Sequence, residues 1–204
     1  MTEREKMING MMYDAYDPEL CAMRERCRLL QDRLNRTDSS RAEERAELLR
    51  ELLGGCGKNV YLLDGKFDYG CNTYLGDEFS ANFNFVCLDC APVRIGHHVL
   101  IGPNVTIATP VHPLLAEERN FYYDANGGRH LYEYAKPITI GDNVWIASNV
   151  TVCGGVTIGE GCVIGAGSVV TKDIPAGTVA VGAPCRPIRK ITEKDSVHGI
   201  PGLY

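Results

Sequence analysis

His112 is the residue of this chain best placed to do chemistry. Pro110 and Pro113 flank it and stiffen its backbone, and it opens a stretch of about 30 residues that interrupts a regular repeat between Ile107 and Ile140. Imidazole titrates near neutrality, so a fixed histidine can take the proton of a hydroxyl as that oxygen attacks a carbonyl carbon. A base of this kind works best when an acceptor holds its second ring nitrogen, and Glu133 closes the same stretch. Taken alone, each has a plainer reading: a loop histidine with a local hydrogen bond, and a solvated carboxylate. Lys172, Arg186, Arg189 and Lys190 form a basic cluster in an otherwise acidic chain. Cys87 and Cys90 make a lone C-x2-C with no second pair and no H-x3-5-H to complete a zinc shell, so no metal is expected. The run Gly54-Gly-Cys-Gly-Lys-Asn59 lacks the leading glycine of a phosphate loop and carries Asn59 where Ser or Thr is required.

A repeat must position these groups. Ile140, Ile146, Val152, Ile158, Ile164 and Val170 recur at an unbroken interval of six, with compact Val144, Val150, Val156, Cys162 and Ser168 four places after the first five. Ile95, Ile101 and Ile107 keep the phase, followed by Val99 and Val105, and it runs more faintly through Tyr69, Leu75, Ala81 and Cys87. A period of six is neither helical nor the alternation of an ordinary strand. If each hexad is a short strand plus a turn, three close a triangular coil and successive coils stack as parallel strands. The leading aliphatic then points inward, and the Gly, Asn and Asp that follow it turn the corners because they tolerate positive φ. The expected fold is mainly β: a parallel β-helix over 59–191 with an inserted loop at 108–137, preceded by a helical region at 1–58 and followed by a tail at 192–204. Within the helical region Leu20, Met23, Cys27, Leu30 and Leu34 fall at helical spacing, and a second helix runs from a Ser40 cap to a Gly54 stop. Trp145 covers a coil face or flanks a groove.

Composition narrows the function. With 21 basic and 26 acidic residues the net charge is −5, which argues against a protein that neutralises nucleic-acid phosphates. The first thirty residues mix acids and bases with no apolar signal core, and no run reaches bilayer length, so no membrane role and a cytoplasmic location are expected. In such a reducing compartment the 9 cysteines are buried hydrophobes rather than disulfides.

Several segments together resemble the hexapeptide-repeat acyltransferases, and within them the maltose and galactoside O-acetyltransferases: EKMINGMMYDAYDPEL, FDYGCNTYLGDEFSANFNFVCLD, IGPNVTIATPVHP, KPITIGDNVWIASNVTV and VIGAGSVVTKDIPAGTVAVGAPCRPIRKI. The resemblance implies a left-handed β-helix that moves acetyl from acetyl-CoA to a sugar hydroxyl, with no metal and no covalent enzyme intermediate. It makes His112 the base, oriented by Glu133, and gives Asn82 an amide that donates to developing negative charge. Asp14, Asp68, Asn82 and Asp89 match positions near the acceptor, while Ser148, Ala166, Thr171, Lys172, Arg186 and Arg189 match positions that contact the coenzyme. Leu88-Asp89-Cys90 stands where the galactoside enzymes carry two consecutive aspartates, which is closer to the maltose type. A homotrimer with active sites between subunits is also implied. Serine or antibiotic acetyltransferases and a non-catalytic β-solenoid are the alternatives. A γ-type carbonic anhydrase would need an H-x4-H pair, which His97, His98, His112, His130 and His198 do not give.

Overall fold

The computed structural model describes residues 1–198 and 200–203; Gly199 and Tyr204, within the tail expected at 192–204, lie outside the described residues. Short parallel strands form a triangular prism of about six turns. Face I carries Gly55–Cys56, Thr73–Leu75, Val93–Ile95, Ile138–Ile140 and Thr157–Ile158. Face II runs from Tyr61–Leu62 to Thr178–Gly182, with Cys185–Lys190 closing it in antiparallel fashion, and face III runs from Gly65–Phe67 to Val169–Val170. The register places like on like. Leu75, Ile95, Ile140 and Ile158 stack on face I, Ala81, Ile101, Ile146 and Ile164 on face II, and Cys87, Ile107, Val152 and Val170 on face III. All are buried, so one continuous apolar column fills the prism.

Two details of the corners and the filling go beyond the hexad pattern. Apart from glycine, the left-handed corner residues are mostly asparagines, among them Asn84, Asn104 and Asn149 between faces II and III. The glycine after the leading aliphatic serves a different need: a Cβ on Gly96 would lie 2.8 Å from the Asp142 backbone nitrogen of the next coil. Close stacking requires glycine there. In the second coil Phe79 and Phe85 take the compact places, fully buried edge-to-face at 6.0 Å beside the small Ala81. Tyr69 keeps the six-residue interval but packs outside the prism, with Met7, Tyr13, Leu20, Cys90 and Ala91.

The N-terminal region holds three helices, α1 (Glu3–Ile8), α2 (Pro18–Arg36) and α3 (Ala42–Leu52). Asp17 caps α2 by accepting from the Glu19 and Leu20 amides. Cys27, Leu30 and Leu34 of α2 and Leu48, Leu49 and Leu52 of α3 cover the open first coil at Leu62 and Phe67. Ser40 is not the α3 cap; its amide and hydroxyl bond to Asp38 instead, and the cap position is Arg41. Nor does Gly54 act as a helix stop. Its missing Cβ lets it approach the Cys71 carbonyl, and the first strand begins at once with Gly55, ahead of the boundary expected at 58. Arg45 is buried and donates to four carbonyls, those of Leu34, Thr37, Leu62 and Leu63, which ties both helices to the first coil.

Candidate functional site

The interrupting stretch leaves the prism after Ala108 and returns at Ile138, yet the coils before and after it stack directly, with Ile107 beside Val152. It is folded. Pro110–Val111 pairs with Tyr132–Ala135, which pairs on its other edge with Tyr13–Asp14 near the N-terminus. A three-stranded antiparallel sheet results, with Glu133 in its middle strand. His112 follows the outer strand, and its Nε2 lies 3.5 Å from Glu133 Oε2. From the opposite edge the buried Tyr13 hydroxyl donates to Glu133 Oε1. Glu133 is itself buried, whereas the His112 side chain is 47% exposed. A carboxylate held on one side and an accessible imidazole on the other is the arrangement of an oriented base.

Below Glu133 opens a cavity of about 370 Å³, lined in part by Tyr16, Arg24, Arg28, Asp68, Tyr69 and Cys90. Arg24 donates to Tyr69 Oη at 2.6 Å and to the Ala15 carbonyl at 2.5 Å. Burial raises the Asp68 carboxyl above its ordinary range, against the pull of the Cys90 thiol 3.6 Å away. Asp68 therefore sits where an acceptor could meet it.

Two of the expected acceptor residues do not. Directly opposed residues of an antiparallel pair share a side, so Tyr13 and Glu133 face one way, and Asp14 and Tyr132 the other. Asp14 thus turns away from His112. Its carboxylate takes His130 Nδ1 at 2.6 Å and the amides of Tyr16 and Leu131. Burial would raise this carboxyl, but the His130 side chain and the two amides together hold it below the usual range. Asp89 is corrected as well: it is fully buried, and its oxygens accept from the amides of Tyr69, Gly70 and Asn72 and from the Thr73 hydroxyl. It shapes the turn at 69–73 and presents nothing to a ligand.

The remaining expected residues fall on two edges of the prism. Asn82 lies at the corner between faces II and III, with its Oδ1 accepting from the Phe83 amide at 2.7 Å. Ser148 and Ala166 occupy the same corner in later coils. Beside Asn82 is a groove of about 570 Å³ that Tyr61, Leu100 and Trp145 line. Thr171 and Lys172 lie at the corner between faces III and I, the edge from which the His112 stretch departs. Face III separates the two edges by the length of a short strand, on the order of 10 Å. Arg186 and Arg189 belong to the closing strand; Arg189 pairs with Asp195 through two 2.8 Å contacts. The chain therefore brings Glu133 to His112 but leaves Asn82 on another edge. Tyr13, Arg24 and His130 escaped the sequence reading because each acts on a partner far along the chain.

Comparison with known proteins agrees with this architecture. A family model for the maltose acetyltransferase hexapeptide capping motif matches residues 6–57, and one for the bacterial transferase hexapeptide (six repeats) matches 137–172. The galactoside O-acetyltransferase of Escherichia coli K12 is 42% identical over 96% of this chain and 91% of its own length. The chain belongs to the maltose and galactoside O-acetyltransferase family. Among solved structures of this family, a maltose O-acetyltransferase from Clostridium difficile 630 has a TM-score of 0.87 at 46% identity, covering 95% of this chain and 99% of that one. A galactoside acetyltransferase in complex with coenzyme A has a TM-score of 0.86 at 41% identity, covering 96% and 94%. The protein is accordingly a hexapeptide-repeat acetyltransferase with the family's left-handed β-helix. Among the described residues, no group of three or more His, Cys, Asp or Glu could hold a metal ion, and no helix is long and apolar enough to cross a membrane.

Proposed function

We propose that this acetyltransferase moves acetyl from acetyl-CoA to a sugar hydroxyl in the cytoplasm, with His112 as general base. The observation that carries the reading is His112 set against a Glu133 carboxylate that is buried and fixed from behind. With Nε2 turned to Glu133, Nδ1 takes the acceptor proton as the hydroxyl oxygen attacks the thioester carbonyl. The Asn82 amide donates to the oxyanion, and collapse expels the coenzyme thiolate, which recovers the proton from His112. Asp68 contacts the acceptor from the cavity wall. Ser148 and Ala166 line the coenzyme edge, where Gly167 leaves open space that a Cβ would fill, while Thr171, Lys172, Arg186 and Arg189 serve the pantetheine arm and phosphates. The coenzyme A complex of the related galactoside acetyltransferase supports the donor.

The split of Asn82 and His112 between two edges favours a homotrimer in which one subunit's His112 meets its neighbour's Asn82. Face II supplies an apolar surface for such packing: Tyr61, Leu100 and Trp145 point outward and are 50%, 54% and 51% exposed. The testing experiment is a panel of maltose, glucose and galactosides assayed with acetyl-CoA by thiol release, alongside His112→Ala. Turnover with at least one sugar, and a loss of roughly 10²–10⁴-fold in kcat for the variant, is expected. Thiol release with no sugar, or normal turnover by the variant, would overturn the reading.

A further inference from the structure

We infer that Tyr13 is a positioning residue for acetyl transfer: its hydroxyl fixes the Glu133 carboxylate so that the second oxygen stays directed at His112. This rests on the reading of His112 as the base. The three residues form one row across the small sheet. Tyr13 is directly opposite Glu133 in the register of the first pair, and His112 continues the strand whose Val111 is opposite Tyr134, which brings it level with Glu133 on the other side. All three side chains therefore emerge on the same side of the sheet. Glu133 receives the Tyr13 hydroxyl on Oε1 and faces His112 with Oε2.

Packing alone does not account for a tyrosine here. The ring is completely buried among Met7, Leu20, Tyr69, Cys90 and Ala135, a setting that phenylalanine would satisfy. A buried hydroxyl is costly unless it is hydrogen-bonded, and the carboxylate of Glu133 accepts from this one. A glutamate side chain has several rotatable bonds. With Oε1 anchored, the carboxylate loses the freedom to swing away from the imidazole, and the orientation that stabilises an imidazolium is set in advance. The phenol stays a neutral donor, since burial and the neighbouring Cys90 and Glu133 push its ionisation far above the ordinary range. It thus takes no part in proton transfer. The N-terminal strand contributes to the reaction centre without reaching the substrate.

The test is Tyr13→Phe in the full-length protein, assayed with acetyl-CoA and the best sugar of the panel. A fall in kcat of about 10-fold is expected, with the KM for acetyl-CoA unchanged within about twofold. The decisive readout is a cycle with Glu133→Gln: in that background Tyr13→Phe should lower kcat by no more than about twofold further, because the group it positions is already gone. Met7→Ala, which loosens the same packing but keeps the hydroxyl, should lower the Tm and show no such coupling. Equal losses from Tyr13→Phe in both backgrounds would reduce Tyr13 to packing and overturn the inference. Wild-type kcat for Tyr13→Phe beside an inactive His112→Ala would overturn it while leaving the base in place. Full activity of His112→Ala would instead remove the base. If Tyr13→Phe fails to fold, 3-fluorotyrosine at position 13 keeps ring and hydroxyl; a change in kcat that vanishes with Glu133→Gln supports the inference, and no change overturns it.

Discussion

Two inactive variants should restore activity when they share a trimer, in an amount set by where the two edges lie. His112 and Asn82 occupy opposite borders of face III, and in the proposed trimer each site would draw them from successive subunits. His112→Ala should lose roughly 10²–10⁴-fold in kcat, and Asn82→Ala about 10²–10³-fold as an oxyanion donor is removed. A mixed trimer, with either variant in the majority, has one boundary at which an intact histidine faces an intact asparagine. Its activity should therefore be about one third of wild type, far above either parent. The assay is co-expression of the two variants with different tags, sequential purification through both, and thiol release from acetyl-CoA at saturating sugar. Doubly tagged trimers no more active than the two parents would place each site within one chain and refute the geometry. Sedimentation at any mass other than about three times 22.4 kDa would refute the assembly itself.

Other outcomes follow from the framework around the site. Arg45→Met should cost about 3–5 kcal/mol of unfolding free energy in urea, because four carbonyls, those of Leu34 and Leu62 buried, lose their charged donor; a loss under about 1 kcal/mol would mean that water replaces it. Gly96→Ala should destabilise by about 1–3 kcal/mol in the same assay, since the added methyl meets not only the Asp142 carboxylate but also the backbone of the next coil at Gly141 and Asp142. The His130–Asp14 contact should be pH-dependent. Asp14 and then Asp124 raise the ionisation of His130, so its contribution is present at low pH and lost as pH rises through that raised value, while the depressed Asp14 loses its share only in acid. Protection of the amides of residues 122–131, taken relative to their intrinsic base-catalysed exchange, should fall as pH rises through the raised His130 ionisation and show no such step in His130→Ala; identical profiles would exclude a contribution from this contact.

The prism was readable because a solenoid repeats one local solution, and Ile140 through Val170 state it without interruption. The first coil was not, since Leu62 and Phe67 are followed by a longer turn to Leu75, and the helices rather than a further coil cover them. Phe79 and Phe85 break the rule of compact residues, and only three-dimensional packing against Ala81 shows why they fit. At the site, His112 and Glu133 stood out as the ends of an excursion. The aspartates were harder. Asp14, Asp68 and Asp89 look alike in sequence, but one is committed to His130, one lines a cavity and one fills a turn, and strand pairing and burial alone separate them.

The seam between the N-terminal strand and the returning end of the excursion also bears on how the protein is made. Coils of the prism can stack one after another as the ribosome delivers them, each on the edge left by its predecessor. Tyr13 cannot: its partner Glu133 is synthesised 120 positions later. At cellular elongation rates of about 5–20 residues per second, that is a wait of roughly 6–24 s, during which Tyr13 and the apolar residues packed with it have no permanent neighbour across the seam. When Glu133 is added the nascent chain thus carries only the coils up to Ala108, and the seam can close before the coils from Ile138 onward are made.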